Sequence, residues 1–112
     1  MRAERLRRTK DVELVRAEGE QRAHALFSMR ARRNGLASVR IAVASPRSVG
    51  TAVRRNRARR RIREALRVAL RERTSAPGTD VLVLVRAPAV DAPYDSLTAA
   101  VRMQLDAVLG AP

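Results

Sequence analysis

Between Thr51 and Arg73 the sequence runs Thr-Ala-Val-Arg-Arg-Asn-Arg-Ala-Arg-Arg-Arg-Ile-Arg-Glu-Ala-Leu-Arg-Val-Ala-Leu-Arg-Glu-Arg. At 100° per residue, Ala58, Ile62, Ala65, Leu66, Ala69 and Leu70 fall on one stripe, which predicts a helix with its rear half set on a core. Arg57, Arg60, Arg67 and Arg71 gather on the opposite side, with Arg61 and Arg63 on the flanks. Arg55 and Arg59 stand in line with the apolar stripe, so the N-terminal half of this helix is not expected to pack face-down.

The same charges oppose the helix they sit on. Arg55/Arg59, Arg57/Arg61, Arg59/Arg63, Arg63/Arg67 and Arg67/Arg71 are like-charge i,i+4 pairs, each costing about 0.2–0.5 kcal/mol. Together they penalise the isolated helix by about 1–2.5 kcal/mol, a noticeable part of a small domain's stability. Only Glu64 and Glu72 relieve them, and Asn56 adds a weak helix former. Ten arginines between Arg54 and Arg73 exceed what solubility requires. A polyanionic partner accounts for that density.

The whole chain carries the same signature. Its 112 residues support one domain, 1–112, with one modest core. The net charge of +13 is unevenly spread. Residues 1–73 hold 22 of the 24 basic residues against 7 of the 11 acids, while residues 74–112 carry Arg86 and Arg102 against Asp80, Asp91, Asp95 and Asp106. A basic body with a near-neutral C-terminal portion points to a nucleic-acid surface on one side of a folded domain. Lys10 is the sole lysine; arginine's planar fork suits bidentate phosphate contacts and stacking on bases. There is no cysteine, hence no disulfide and no thiolate metal site. Val81 to Val85 is the longest clear apolar run, far short of a membrane span. The Arg-rich N-terminus lacks the apolar core of a secretory signal, which leaves the cytoplasm as the expected location.

Taken in order, residues 1–8 form a basic arm, expected to be mobile. Thr9 is placed to cap a first helix with Asp11 in its first turn, Val12, Leu14 and Val15 supply its apolar contacts, and Gly19 stops it. From Glu20 to Arg32 the pattern turns to period two: Ala23, Ala25, Phe27, Met29 and Ala31 alternate with Arg22, His24, Ser28, Arg30 and Arg32. Asn34-Gly35 signals a turn, and Val39, Ile41 and Val43 then read as the returning strand of a hairpin. Ser45-Pro-Arg-Ser-Val-Gly50 leads to the arginine helix, with Thr51 as its cap, and Ser75-Ala-Pro-Gly-Thr79 ends it. Asp80-Val-Leu-Val-Leu-Val-Arg86 is a continuous apolar strand, expected to be the buried member of the sheet. A last helix starts near Pro93, with Tyr94, Leu97, Val101, Leu105 and Val108 as its stripe. The class is α+β, helices packed on a small mixed sheet.

The Ser45-Pro-Arg-Ser-Val-Gly50 lead-in and the following Ala52-Val-Arg-Arg-Asn-Arg-Ala-Arg-Arg-Arg-Ile-Arg-Glu-Ala-Leu66 resemble the protein subunits of bacterial ribonuclease P. That family's signature is a basic helix containing Arg-Asn-Arg, here Arg55, Asn56 and Arg57, entered from a Ser-Lys-Lys-x-Gly-like turn. The resemblance extends from Arg5-Leu-Arg-Arg-Thr-Lys-Asp11 to Pro93-Tyr-Asp95. It implies a fold similar to the second domain of ribosomal protein S5. That fold has a four-stranded mixed sheet with three helices in the order αβββαβα, and a left-handed β-α-β crossover against the right-handed default. It implies removal of the 5′ leader from precursor tRNA, with a catalytic RNA performing the chemistry and the polypeptide alone not catalytic. The RNA-binding residues it implies are Arg47, Arg54, Arg55, Asn56, Arg57, Arg59, Arg60, Arg61, Arg63 and Arg67. A cleft between the first helix and the sheet would hold the single-stranded leader. Magnesium ions would be bound mainly by the RNA and the substrate.

Two departures from the family pattern are visible. The turn has Pro46-Arg47-Ser48, so one expected cation is missing at Ser48. Family members commonly place aromatics in the leader cleft, where this chain has Val12, Arg16 and Arg30. Arginine planes and phosphate contacts then replace aromatic stacking, with less base preference and more salt sensitivity. Phe27 and Tyr94 read as core or cap residues. His24, the sole histidine, has no nearby partner for general-base work. No acid pair suits two-metal cleavage, and no phosphate-loop glycine pattern is present. A general RNA-binding or ribosome-associated protein would share the charge and the fold. A DNA-binding basic helix ranks last, because Pro77-Gly78 ends the helix where a zipper would have to begin.

Overall fold

The apolar run after Thr79 sits at the middle of the molecule. In a computed structural model describing residues 1–111, strand β5 (Thr79–Val85) is the centre of a five-stranded mixed sheet. The other strands are β1 (Glu4–Arg5), β2 (Glu20–Ala23), β3 (Phe27–Arg33) and β4 (Val39–Ala44), in the spatial order β1-β4-β5-β3-β2. Helix α1 (Thr9–Glu18) precedes β2, α2 (Ala52–Arg71) connects β4 to its parallel neighbour β5, and α3 (Tyr94–Leu109) closes the chain. Strand β5 can occupy the centre because both of its faces are apolar. Val81, Val83 and Val85 look into the main core with α2 and α3, while Leu82 and Leu84 look the other way, toward Leu6, Val12 and Val15. The sheet is therefore covered by α2 and α3 on one face and by α1 on the other.

All six residues of the expected α2 stripe are buried, from Ala58 to Leu70. Thr51 caps the helix, its side-chain oxygen accepting the Arg54 N–H at 3.3 Å. On α3, Leu97, Val101 and Leu105 are buried as expected, but Tyr94 lies 40% exposed and Val108 is only half-buried; Ala100, Gln104 and Leu109 take the remaining inward positions. Phe27 is fully buried in the main core.

Several expectations are corrected. The sheet has five strands, the added one coming from residues 1–8, which are docked rather than loose. Glu4 and Arg5 pair in parallel with Arg40 and Ile41, the Leu6 N–H donates to the Ile41 carbonyl at 2.9 Å, and the Leu6 side chain is 4% exposed. Leu6 in the second core, and Met1 and Ala3 packed against the main core, supply the anchor, with the Met1 ammonium donating to the carbonyls of Leu70 and Arg73. The stretch 20–32 is two antiparallel strands, broken where the Leu26 N–H donates to His24 Nδ1 at 3.0 Å.

The expected hairpin between β3 and β4 does not form. Both strands pair with β5 instead, β3 antiparallel and β4 parallel. The Asn34-Gly35 segment arches over the start of β5: the Asn34 N–H donates to the Gly78 carbonyl, and a Cβ on Gly78 would fall 1.8 Å from the Leu36 carbonyl oxygen. A strand apolar on both faces from Val81 to Val85 gains more from two neighbours than β3 and β4 gain from each other. Finally, α1 begins at Thr9 with Arg8 at the cap position and no side-chain cap, so Thr9 does not play that part.

Candidate nucleic-acid interface

The lead-in to α2 is set by glycine. Gly50 has φ +131°, a conformation side chains rarely adopt, and a Cβ there would press on the Arg54 side chain at 3.0 Å. That turn brings backbone carbonyls against the first turns of the helix, and arginines fold back onto them. Arg55 donates to the Gly50 carbonyl at 3.0 Å, and Arg59 donates to Ser45 Oγ at 3.1 Å and to Asn56 Oδ1. Both are half-buried, so the N-terminal half of α2 does pack, because the charged heads reach acceptors. On the other flank Arg57 donates to the Val90 carbonyl at 3.0 Å. Arg61 donates to the carbonyls of Ala89 at 2.6 Å and Val90 at 3.0 Å, and also to that of Ala92. These four arginines tie α2 to its surroundings.

The others point away from the fold. Arg60 and Arg63 are exposed and make no hydrogen bond or ion pair among the described residues. Arg67 pairs with Glu64, whose hydrogen bond raises the guanidinium pKa and lowers the carboxyl's. Arg54 stands 3.6 Å from Asp91, an exposed pair of little worth. Asn56 is exposed, and Arg47 projects from the 3₁₀ turn Arg47–Val49. Asn56, Arg60, Arg63, Arg67 and Arg71 share one stripe at helical spacing. Arg63 is held below the usual arginine range, first by burial and then by Arg5 and Arg59. The charges that lower it are cations, and no carboxylate pairs with Arg5, Arg59 or Arg63 among the described residues.

On the α1 side, Val12 packs with Leu6, Val15 and Leu82 and belongs to the small second core. Arg16 is exposed one helical turn further on. Arg30, on β3, donates to Gln21 Oε1 at 3.0 Å and to the Gly19 carbonyl at 3.4 Å. Strand alternation puts Arg30 on the sheet face that carries α1, so Arg16 and Arg30 flank one side of the sheet, with Val12 beneath as packing.

A polar cluster that the sequence pattern does not reveal underlies that side. Arg40 makes a bidentate pair with the 4%-exposed Asp80, both bonds at 2.7 Å, and reaches Asp11 at 3.4 Å; Asn34 adds a 2.8 Å bond to Asp80. The Asp80 pairing raises the Arg40 pKa. Arg40 and Asp80 are register partners, so the signal is strand pairing, which alternation alone does not give. Among the described residues no group of three or more His, Cys, Asp or Glu could hold a metal ion.

The family model for ribonuclease P matches residues 1–108. The chain belongs to the ribonuclease P protein family. It is 39% identical over 99 residues to the ribonuclease P protein component of Chloroflexus aggregans, covering 88% of this chain and 72% of that relative. With the counterpart from Herpetosiphon aurantiacus it shares 35% over 100 residues, 89% of this chain and 80% of the relative. The ribonuclease P protein of Thermotoga maritima superposes with a TM-score of 0.69 at 27% identity, covering 96% of both chains. The protein from Staphylococcus aureus does so with a TM-score of 0.78 at 22% identity, covering 96% of this chain and 99% of the other, which speaks for the fold. A ribonuclease P protein component has its place in tRNA processing, within an endoribonuclease ribonucleoprotein. In this member the family's Arg-Asn-Arg is divided: Arg55 and Arg57 bond backbone carbonyls, and Asn56 faces out.

Proposed function

We propose that the chain binds the catalytic RNA of ribonuclease P through the outward face of α2, and holds the 5′ leader of precursor tRNA along the α1 side of the sheet. The supporting observation is the stripe running from Asn56 through Arg60 and Arg63 to Arg67: charges that destabilise the helix and, at Arg60 and Arg63, find no partner among the described residues. Phosphates satisfy them, and each contact releases counterions from the RNA. The RNA carries the cleavage chemistry. The leader, present only on the precursor, passes Arg16 and Arg30, whose guanidinium planes take phosphates and stack on bases without strong sequence preference.

Among the described residues no group of three or more acidic or histidine side chains gathers to hold a magnesium ion. Asp11 and Asp80 are engaged by Arg40, and Glu64 and Glu72 by Arg67 and Arg102. The ions belong on the RNA and substrate, and the chain's share is to lower phosphate repulsion so that fewer of them suffice. Among the described residues no helix is long and apolar enough to cross a membrane. On this reading the assembly, as a tRNA-processing particle, works in the cytoplasm, where tRNA is processed. Reconstitution with a bacterial ribonuclease P RNA tests it. At low magnesium the chain should restore cleavage of precursor tRNA and should bind precursor more tightly than mature tRNA. Unchanged turnover would reject the reading.

A further inference from the structure

Docking of residues 1–8 creates a groove that the arginine helix alone does not have. Strand β1 lies along the edge of β4, and the C-terminal half of α2 runs beside it. Between them is a cleft of about 500 Å³, in the size range that admits a group such as a single nucleotide. Its floor is apolar, formed by Ile41, Val43, Leu66 and Leu70. Its rim is cationic: Arg2 and Arg5 stand on the β1 side, Arg63, Arg67 and Arg71 on the helix side. The one acid in the lining, Glu4, accepts a hydrogen bond from Ser38 at 3.1 Å. Arg2, Arg5, Arg63 and Arg71 have no side-chain partner among the described residues, and Arg5 and Arg63 are close enough for their charges to repel.

We infer that this groove is a binding site for an unpaired RNA nucleotide, its base on the aliphatic floor and its flanking phosphates on the Arg2/Arg5 and Arg63/Arg71 rims. The inference rests on the chain being an RNA binder and adds a site of which the α2 stripe supplies only one wall. A duplex presents only its phosphates to such a cleft, because its bases are stacked and paired. A single strand can tip one base inward, burying apolar surface while the backbone spans the two rims. The site is then shared between two elements far apart in sequence, with strand β1 acting as the second jaw. The helix-side rim continues the Arg60-Arg63-Arg67 stripe, so one RNA strand can pass from the exposed helix face into the groove.

The test uses the full chain with Ile, Leu and Val methyl groups labelled for NMR, titrated with a five-nucleotide oligoadenylate, an abasic ribose-phosphate oligomer of equal length, and a short RNA duplex. Oligoadenylate should shift the methyl signals of Ile41 and Val43. The abasic oligomer should bind about tenfold more weakly and leave those methyls in place. Arg5→Gln combined with Arg71→Gln should flatten the salt dependence of oligoadenylate binding by about 1.4 units of slope, about 0.7 for each single-strand phosphate that is no longer neutralised. Unchanged Leu82 and Leu84 methyl signals, on the opposite sheet face, report that this variant is folded. Equal affinity for the abasic oligomer, unmoved Ile41 and Val43 methyls, or the same methyl shifts with duplex would each overturn the site. A chain that restores the catalytic RNA at low magnesium but shows no methyl response loses the groove and keeps its function. One that gives the methyl response without restoring turnover does the reverse.

Discussion

Arg61 donates to three backbone carbonyls in the segment after β5, whereas Arg60, its neighbour in sequence, makes no hydrogen bond or ion pair through its side chain among the described residues. Two adjacent arginines thus have opposite employment, and alanine substitution separates them. Arg61→Ala should lower stability by about 1–3 kcal/mol, since charge-assisted bonds to half-buried acceptors disappear, with little change in the salt dependence of RNA binding. Arg60→Ala should leave the denaturant midpoint in place and flatten that salt dependence by about one unit of slope for one phosphate contact. Denaturant titration beside binding at several salt concentrations reads both. Asp80→Ala belongs at the same scale. It strands the Arg40 guanidinium, and since Arg40 keeps 21% of its side chain in solvent the loss should fall near the lower end of the buried-pair range, about 3 kcal/mol. The sequence showed which side of α2 is charged. It could not show which arginines serve the fold, because most of the acceptors are backbone carbonyls, which have no residue type: Arg57 and Arg61 reach carbonyls 28 to 33 residues away, and Arg55 reaches that of Gly50.

At the scale of elements, what has its own periodicity was readable. The α2 stripe, the central apolar strand and most of the α3 stripe lie where spacing put them. What depends on one element choosing between partners was not. The β3–β4 hairpin failed because β5 outcompetes either strand as a neighbour, and residues 1–8 looked like a free arm because their apolar residues, Met1, Ala3 and Leu6, are scattered among charges. Leu6→Ala should therefore cost about 2–3 kcal/mol, the low end for a buried leucine, and release β1, with faster amide exchange at Leu6 as the specific sign. Gly50→Ala should destabilise by about 1–3 kcal/mol through φ +131° and displacement of Arg54, measurable by thermal melting. Acid should act through the helix surface. Hydrogen bonds from Arg67 and Arg102 hold Glu64 and Glu72 below the usual glutamate range. Their contribution is present above the ordinary value of about 4.5 and is lost as pH falls through the lowered folded-state values. Glu64→Gln with Glu72→Gln should give a shallower acid limb in melting temperature against pH, with only a small effect at neutral pH because both groups are exposed.

For the whole molecule, charge and architecture divide the labour. The sheet and the α2–α3 core face hold the arginine helix rigidly by its rear, and the outward guanidiniums of Arg60 and Arg63 stand without counter-charges among the described residues. The +13 net charge, visible in composition alone, is what the proposed RNA partner would balance, while the distinction between outward-facing and fold-facing charge emerges only once the chain is folded. The leader side is the reverse case: Val12, Arg16 and Arg30 were named from the family pattern alone, and the fold puts Arg16 and Arg30 along one side of the sheet with Val12 packed against the second core. The central claim is that this polypeptide lets a catalytic RNA work on precursor tRNA with less magnesium. The direct measurement is the single-turnover cleavage rate of precursor tRNA by a bacterial ribonuclease P RNA across a magnesium titration, with and without the chain. A shift of the curve to lower magnesium, weakened by Arg60→Ala with Arg63→Ala, is the expected result. Superimposable curves with and without the folded chain would contradict the account.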